Sequence, residues 1–422
     1  MADFRFVHAA DIHLDSPLLG LESHDEAPVE TIRGATRIAL TNLVNFCLEE
    51  KVAFLIIAGD VYDGDWKSAE TGRFFLRQMN RLAAADPPIP VFLIKGNHDA
   101  ASVISREMII PSVTTFPHAK PATHTLPELQ VAIHGQSYSR AEVNEDLSLG
   151  YAAPVPGMFN IGILHTSATG REGHDRYAPC NPNDLVRKGY DYWALGHIHK
   201  REVIHEHPHI VFSGNLQGRH VREPAPEGKG CSLVTVSASQ IVGFEHIVLD
   251  VVRWDILEID ISLTRSKEEA LDFLIAEIAQ RAGMVGDCLL ATRIKIVGTT
   301  PVSLEIHRDL SSFVDSLRER TQATLDGVWL EEIQVETRTP LLESELEEGG
   351  SVLGLIDAIR GQADDNINQL YEAKALPLIN RIKASNADLL KELGLDDPEY
   401  VRNLMPDIEQ AILAIIDSEA KR

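Results

Sequence analysis

Short apolar runs alternate with longer segments of helical periodicity over residues 1–254. The apolar runs predict strands at 4–9, 53–59, 90–95, 130–135, 159–165 and 191–197. Apolar positions at helical spacing predict amphipathic helices between several of these strands, for example at 36–51 and 72–84. Further β-rich segments follow at 210–215, 231–237 and 243–252. The repeated order of strand and helix predicts an α/β layered core.

Two more regions follow this core. Residues 255–340 carry the pattern strand, helix, strand, helix, strand, which predicts a small α+β domain. The segment "LLESELEEGG" at 341–350 is charged and ends in glycine, and 351–422 shows helical periodicity only. We therefore expect three parts: a first domain at 1–254, an α+β domain at 255–340, and a linker with a helical C-terminal region at 341–422.

The cysteines and the N-terminus indicate the compartment. Cys47, Cys180, Cys231 and Cys288 are widely spaced and form no C-x-x-C pair. This spacing fits a reducing compartment and argues against a disulfide framework or a cysteine zinc site. The N-terminus lacks the basic flank and long apolar core of a signal peptide. Because no apolar run reaches about 18 residues, we expect a cytoplasmic protein without a membrane segment.

The net charge of −24 is unevenly distributed. Residues 1–254 carry 30 acidic and 22 basic residues, and residues 255–422 carry 33 and 17, so the two parts contribute −8 and −16. A protein this acidic is a poor nonspecific binder of nucleic acid by bulk charge. Binding of a phosphodiester would have to depend on metal ions and on a local basic surface.

Polar side chains follow five of the predicted strands at the point where each strand ends. They are Asp11 and His13, Asp60 and Asp63, Asn97 and His98, His165, and His197 and His199. In open α/β sheets, ligands bind outside the carboxyl ends of the strands, so we expect these side chains to converge. Carboxylate, amide and imidazole groups suit a divalent metal of intermediate hardness, and the set is large enough for two ions sharing one carboxylate. Glycines before Asp60, Asn97 and His197 predict a close approach of the backbone to the site.

The motifs D-x-H, G-D-x-x-D, G-N-H-D, a lone H and G-H-x-H occur in that order over about residues 3–254. This series resembles the signature of the calcineurin-like metallophosphoesterases. "GNHD", the α+β domain, the helical tail and "SGNLQGRHVRE" at 213–223 are similar to the SbcD-type DNA repair exonucleases, with the YhaO-like bacterial branch the most similar. The resemblance implies an α/β fold with a layered β-sandwich core flanked by helices, followed by a capping domain.

The resemblance also implies a role for each motif residue. Two divalent ions, commonly manganese in the family, would activate a hydroxide that attacks the phosphodiester of DNA. One ion is assigned to Asp11, His13 and His199, the other to Asn97, His165 and His197, and Asp60 bridges them. His98 would protonate the leaving oxygen, and Asp63 would orient His98. Arg219 and Arg222, which follow G-H-x-H closely, are candidates for binding substrate phosphate, since arginine suits bidentate phosphate contacts.

Other functions remain open on the same core. A phosphatase or small-molecule phosphodiesterase would use the same two ions, and a non-catalytic scaffold would be expected to have lost ligands or His98. Related protein phosphatases carry an arginine soon after G-D-x-x-D, whereas the nearest basic residues here are Lys67 and Arg73. We expect DNA contacts around Lys67 and the loop 170–176 as well. The resemblance further implies an SMC-like coiled-coil ATPase bound through the C-terminal helices, and a homodimer.

Overall fold

A computed structural model describes residues 3–16, 27–64, 69–101, 111–168 and 178–340. Three sequence predictions lie outside these described residues. They are the contact of Lys67 with DNA, the DNA-binding loop 170–176, and the linker and helical tail at 341–422.

The described residues form fifteen strands, seven α-helices and one short 3-10 helix at Leu147–Gly150. The strands are β1 (Phe4–Ala9), β2 (Phe54–Ala58), β3 (Val91–Ile94), β4 (Val113–Thr115), β5 (Ala122–Leu126), β6 (Val131–Gly135), β7 (Phe159–His165), β8 (Tyr192–Gly196), β9 (Glu202–Glu206), β10 (His209–Phe212), β11 (Gly230–Ser237), β12 (Gln240–Val248), β13 (Val252–Asp260), β14 (Leu289–Thr299) and β15 (Val328–Arg338). The helices are α1 (Val29–Glu49), α2 (Ala69–Ala83), α3 (Asn97–Ala101), α4 (Pro182–Arg187), α5 (Lys267–Val285), α6 (Ser303–Arg308) and α7 (Leu310–Thr324). None of the described helices is both long and apolar enough to cross a membrane.

Two six-stranded sheets carry the first region. Their spatial orders are β12-β11-β1-β2-β3-β4 and β5-β6-β7-β8-β10-β9. In the first sheet β1 to β4 run parallel, while β11 and β12 are antiparallel to their neighbours. In the second sheet β6, β7, β8 and β10 run parallel, and β5 and β9 are antiparallel edge strands. Parallel pairing places the carboxyl ends of neighbouring strands at the same edge of each sheet.

Aromatic side chains from both sheets fill the space between them. Phe6 stacks on Phe54 with ring centroids 5.0 Å apart, and Tyr192 of the second sheet meets Phe6 edge-on at 5.3 Å. Phe4 meets Phe159 of the second sheet in the same way at 6.0 Å. All five rings are buried, so the two sheets form a β-sandwich around one apolar core. Aromatic pairs of this kind contribute about 0.5–1.5 kcal/mol each beyond their buried area.

Helices cover the outer faces of the two sheets. Leu55 of the first sheet packs in a second core with Leu40 of α1 and Met79 of α2. Trp193 of the second sheet packs with Leu185 of α4. Strands covered on both faces are buried throughout, which is why the sequence shows continuous apolar runs there rather than an alternating pattern. The predicted layered α/β core with flanking helices is confirmed.

Strands β13, β14 and β15 form a separate three-stranded sheet. With α5, α6 and α7 they give the order strand, helix, strand, two helices, strand, so the structure has one short helix more than the pattern predicted for 255–340. The chain divides into two compact units: one comprises Met1–Ile256, Val285–Thr292 and Gly327–Glu331, and the other comprises the remaining residues of 257–340. Leu274 and Phe313 are buried in the second unit.

Helix α1 begins seven residues before its predicted start at 36, at Val29. Ile32 and Ala35 in the added turns are buried in a cluster with Val252 and Trp254. This packing comes from residues more than 200 positions away in the sequence. Apolar contact with a distant strand therefore extends the helix beyond the segment where its own periodicity is clear.

Candidate metal centre

The five strand ends bring their polar side chains together. They belong to β1, β2 and β3 of the first sheet and to β7 and β8 of the second. Among the described residues, three groups of side chains have ligand atoms within 4.8 Å of one another: Asp11, His13 and His199; Asp60, His165 and His197; and His13, Asp63 and His98. Both sheets contribute to the first two groups, so the sandwich itself assembles the site.

Several loop residues of the site have left-handed backbone conformations. The φ angles are 50° for Asp11, 44° for His13, 52° for Asp60 and 99° for His197. Residues with a Cβ adopt this region at a cost, and such residues cluster at functional sites where the surrounding structure enforces them. The Asp11 N–H donates to the Gly59 carbonyl at 3.0 Å, and the His13 N–H donates to the Asp60 carbonyl at 3.1 Å. These bonds hold the first two strand ends in register.

Glycines allow the backbone to approach the site closely, as the sequence predicted. A Cβ at Gly96 would lie 2.3 Å from Asp60 Oδ1, and one at Gly59 would lie 2.5 Å from His165 Nδ1. Gly59 also has a φ of +96°, which side chains with a Cβ rarely adopt. Any larger residue at these two positions would displace Asp60 or His165.

Asp60 belongs to the second group and also approaches the first. Its Oδ2 is 3.3 Å from His165 Nε2 and 4.0 Å from His13 Nε2. Its Oδ1 accepts a hydrogen bond from the His98 N–H at 3.0 Å. Burial opposes charge on both partners, yet their mutual attraction holds the pKa of Asp60 well below its usual range and raises the pKa of His165 to about 9. Asp60 is therefore ionised, with one oxygen facing a histidine of each group.

His165 and His197 both face the amide oxygen of Asn97. Nδ1 of His165 donates to the Ala58 carbonyl at 2.9 Å, which leaves Nε2 pointing inward, 2.9 Å from Asn97 Oδ1. Nδ1 of His197 lies 3.3 Å from the same oxygen. The His197 N–H in turn donates to both carboxylate oxygens of Asp11 at 3.0 Å. The backbone of one strand end thus anchors the carboxylate of another.

The other group is built on two facing imidazoles. His13 Nε2 lies 3.0 Å from His199 Nε2. His199 Nδ1 lies 2.7 Å from Glu223 Oε1, a carboxylate oxygen that accepts, so Nδ1 carries a proton and Nε2 presents a lone pair. Burial and the charge of Arg219 lower the pKa of His13, which is therefore neutral. Among the described residues its buried Nδ1 has no hydrogen-bond partner.

This donor set fits divalent cations. Asp11, His13, Asp60 and His165 are at most 1% exposed. Ionisable groups removed from water are costly unless they are paired or bind a metal. Here lone pairs of imidazole, amide and carboxylate groups converge from both sheets, a combination that manganese, iron or zinc accepts.

His98 lies at the mouth of the site, with its side chain 38% exposed. Its Nδ1 is 3.2 Å from Asp63 Oδ1, and Ser16 Oγ donates to Asp63 Oδ2 at 2.8 Å. Burial lowers the pKa of His98, but the hydrogen bond to Asp63 and the charges of Asp60 and Asp63 outweigh it and raise the pKa. Burial raises the pKa of Asp63, but the hydrogen bonds from His98 and Ser16 outweigh it and hold the pKa well below its usual range. The imidazole is held by an ionised carboxylate and remains accessible from solvent.

The loop that follows β10 brings one predicted residue and one unpredicted residue to the site. Arg219 Nη1 lies 3.5 Å from Asp63 Oδ2, and its Nη2 donates to Glu223 Oε1 at 3.1 Å. Arg222, the other predicted phosphate contact, is exposed, and its backbone N–H donates to His220 Nδ1. The structure therefore brings Arg219 to the site beside Asp63 and leaves Arg222 on the outer surface of the loop. Glu223 was not predicted, although it is the last residue of the stretch 213–223 that follows G-H-x-H.

Two family descriptions match the chain. The description "Calcineurin-like phosphoesterase" matches residues 4–201, and "Metallophosphoesterase YhaO, middle domain" matches residues 254–338. The metallophosphoesterase YhaO of Bacillus subtilis (strain 168) is 32% identical over 336 residues, which cover 78% of this chain and 81% of YhaO. The chain belongs to the calcineurin-like metallophosphoesterase family. Members of this family are phosphoester hydrolases with a di-metal centre.

Two further relatives of this calcineurin-like metallophosphoesterase have names that state a function. The DNA double-strand break repair protein Mre11 of Methanopyrus kandleri is 23% identical over 410 residues, covering 88% of this chain and 86% of that protein. A subunit of the nuclease SbcCD from Rhodobacter capsulatus is 33% identical over 97 residues, covering 23% of this chain and 22% of that protein. The similarity to YhaO and to these nucleases agrees with the branch that the motifs resemble.

Proposed function

We propose that the chain is a metal-dependent phosphodiesterase that hydrolyses DNA, acting as a DNA repair exonuclease. The observation that carries the proposal is the Asp60 carboxylate, whose Oδ2 faces one histidine of each of two ligand groups. A carboxylate between two ligand groups suits two ions rather than one. The choice of DNA rests on the similarity to relatives named as a DNA double-strand break repair protein and as part of a nuclease.

The proposed ligands form two sets that share Asp60. Asp11, His13 and His199 hold one ion, and Asn97, His165 and His197 hold the other. Manganese is the proposed metal for both. When bound, two such ions activate water as a nucleophile and neutralise charge on the phosphoryl oxygens. Four of the proposed ligands, Asp11, His13, Asp60 and His165, are buried, which fixes their orientation before substrate arrives.

His98 is the proposed general acid. Its ring is held at Nδ1 by Asp63, which leaves Nε2 to donate a proton to the leaving oxygen. A positioned acid of this kind contributes about 10²–10⁴-fold to the rate. The raised pKa of His98 supports this role because it favours the protonated form from which a proton is donated. Asp63 positions the ring and stabilises its charge.

Arg219 is the proposed contact for substrate phosphate. Its guanidinium lies beside Asp63 and His199, with 16% of the side chain exposed. Arginine carries its charge at all working pH values and can bind two phosphoryl oxygens at once. Arg222 is proposed as a second, outer contact, since it is exposed on the same loop.

Two proposed features concern the cellular setting. The four cysteines are free, which fits a reducing compartment such as the cytoplasm. Region 341–422 is the proposed docking segment for an SMC-like coiled-coil ATPase, and a homodimer is the proposed assembly. Both assemblies rest on the resemblance to SbcD-type nucleases.

The same geometry also fits a phosphatase, which is the second candidate function. Related phosphatases carry an arginine close to G-D-x-x-D in sequence, and here Arg219 reaches Asp63 from a distant loop. A manganese-dependent assay on linear and circular DNA, run beside a phosphomonoester substrate, separates the two. We expect cleavage of linear DNA and little release of phosphate from the monoester. Turnover of the monoester alone would replace the nuclease proposal with the phosphatase.

A further inference from the structure

Glu223 contacts a proposed metal ligand but faces away from the ligand atoms. Its Oε1 accepts a hydrogen bond from His199 Nδ1 at 2.7 Å. The opposite nitrogen of the same ring, Nε2, faces His13. Glu223 therefore lies on the far side of the His199 ring from the site, where it can orient the ring without competing for a metal.

This contact selects one tautomer of His199. An ionised carboxylate can only accept, so it keeps the proton on Nδ1 and leaves the Nε2 lone pair directed into the site. Without the carboxylate, this contact no longer keeps the proton on Nδ1, and a proton on Nε2 would block metal binding.

Glu223 is itself held firmly. Its Oε2 accepts hydrogen bonds from Asn215 Nδ2 at 3.0 Å and from the Arg219 backbone N–H at 3.1 Å. Its side chain is only 9% exposed. The His199 carbonyl is fixed from the same segment, because Lys229 Nζ donates to it at 3.0 Å. The segment 215–229 thus holds both the ring and the backbone of His199.

We propose that Glu223 is a positioning residue for His199 and thereby sets the affinity of the ion held by Asp11, His13 and His199. This inference rests on the proposed metal assignment. Carboxylates that orient ligand histidines typically change metal affinity or activity by about 10–100-fold when they are removed. The alternative role, an ion pair that only fixes Arg219, predicts no preference between the two ions.

The test is titration of the metal-free full-length protein with manganese, measured by calorimetry. In wild type we expect two ions to bind. In Glu223→Gln, which keeps the size of the side chain, we expect one ion to bind about 10–100-fold more weakly and the other to be unchanged. Glu227→Gln is the matched control, because Glu227 is an exposed carboxylate in the same segment. It should bind both ions as wild type does.

A second variant separates ring orientation from loop stability. Arg219→Met removes the ion pair but keeps the carboxylate that His199 contacts, so we expect it to weaken the ion held by Asp11, His13 and His199 less than Glu223→Gln does. Equal weakening in Arg219→Met and Glu223→Gln would overturn the inference, as would unchanged binding of both ions in Glu223→Gln. Equal weakening of both ions in Glu223→Gln would also overturn it. Wild-type protein that binds fewer than two ions would instead refute the metal assignment of the proposed function.

Discussion

Asp60 Oδ2 lies 3.3 Å from His165 Nε2, although the two residues follow strands of different sheets. Asp60 follows β2 and His165 ends β7, so this contact joins the two halves of the sandwich at the proposed metal centre. The sandwich core beneath them therefore determines the geometry of the site.

The first prediction concerns the bridging role of Asp60. Asp60→Asn should weaken the binding of both manganese ions, because a neutral amide replaces the charged carboxylate that faces a histidine of each ligand set. Asp11→Asn should mainly weaken the binding of one ion, because Asp11 is proposed as a ligand of that ion alone. Calorimetric titration of both metal-free variants makes the comparison. An Asp60→Asn protein that binds two ions with wild-type affinity would show that Asp60 is not the bridge.

The second prediction concerns proton donation by His98. His98→Ala should retain both ions, because His98 is not a proposed metal ligand. It should lose about 10²–10⁴-fold in turnover of DNA, because the proton-donating ring that Asp63 holds is removed. Asp63→Asn should lose less, because it keeps the imidazole and removes only the charge that orients it. Single-turnover rates at saturating manganese measure both effects. Wild-type turnover in metal-loaded His98→Ala would exclude the acid role.

Much of the fold could be read from local sequence pattern. The runs that became β1 and β7 were predicted with the bounds that the structure has, because strands covered on both faces must be apolar throughout. The helix start at Val29 could not be predicted, since its added turns pack on Val252 and Trp254.

The residues of the site could likewise be predicted only in part. Side chains at strand ends could be expected to converge, because the edge of a parallel sheet is common to its strands. Glu223 and Arg219 are different: Glu223 lies 24 positions from His199, and Arg219 lies 156 positions from Asp63. Their contacts depend on how one loop folds back over the site, which no local pattern in the sequence records. The left-handed backbone of Asp60 is likewise imposed by the packing around it.

The third prediction concerns the close approach at Gly96. A Cβ there would lie 2.3 Å from Asp60 Oδ1. We expect Gly96→Ala to lower the free energy of unfolding by about 1–3 kcal/mol, as overpacking of a buried site does. It should also weaken manganese binding, because Asp60 must move. Chemical denaturation and metal titration measure the two effects.

Gly34→Ala is the control for this variant. Gly34 lies within α1, and a Cβ added there would meet nothing within 4 Å. Alanine should therefore raise the free energy of unfolding by about 0.5–1 kcal/mol, because it restricts the unfolded chain and favours the helix. If Gly96→Ala instead raises the free energy of unfolding as Gly34→Ala does, the backbone at Gly96 can shift. The close contact between Gly96 and Asp60 is then not required.

The fourth prediction concerns the C-terminal region. Removal of the residues after Gly350 should leave manganese-dependent hydrolysis intact, because all the proposed metal ligands and Glu223 lie before the removed region. The shortened protein should no longer copurify with a coiled-coil ATPase that the full chain retains. The measurement is tandem purification of both forms with activity assays on each. Loss of metal binding in the shortened form would mean that the region supports the core instead of docking a partner.

The last prediction concerns DNA recognition by Arg219 and Arg222. The chain carries a net charge of −24, so few cations can contribute to binding of DNA. The logarithm of affinity should fall with the logarithm of salt concentration at a slope of about −0.9 for each phosphate neutralised on duplex DNA. We expect a shallow slope for wild type. In Arg219→Ala the slope should be less steep by about 0.9, which corresponds to the loss of one phosphate contact. A slope near −10 in wild type would indicate a much larger basic surface than the sequence contains.

Arg222→Ala is the matched comparison, because both arginines belong to one loop but only Arg219 reaches Asp63 and Glu223. Arg219→Ala should weaken both binding and turnover, since its guanidinium lies beside Asp63, which positions the proposed acid, and beside the ligand His199. Arg222→Ala should weaken binding and leave the turnover of bound DNA unchanged, since Arg222 is exposed on the outer part of the loop. Binding measured with metal-free protein and turnover measured at saturating DNA separate these effects. If the double variant Arg219→Ala/Arg222→Ala binds DNA as tightly as wild type, the loop is not the contact surface.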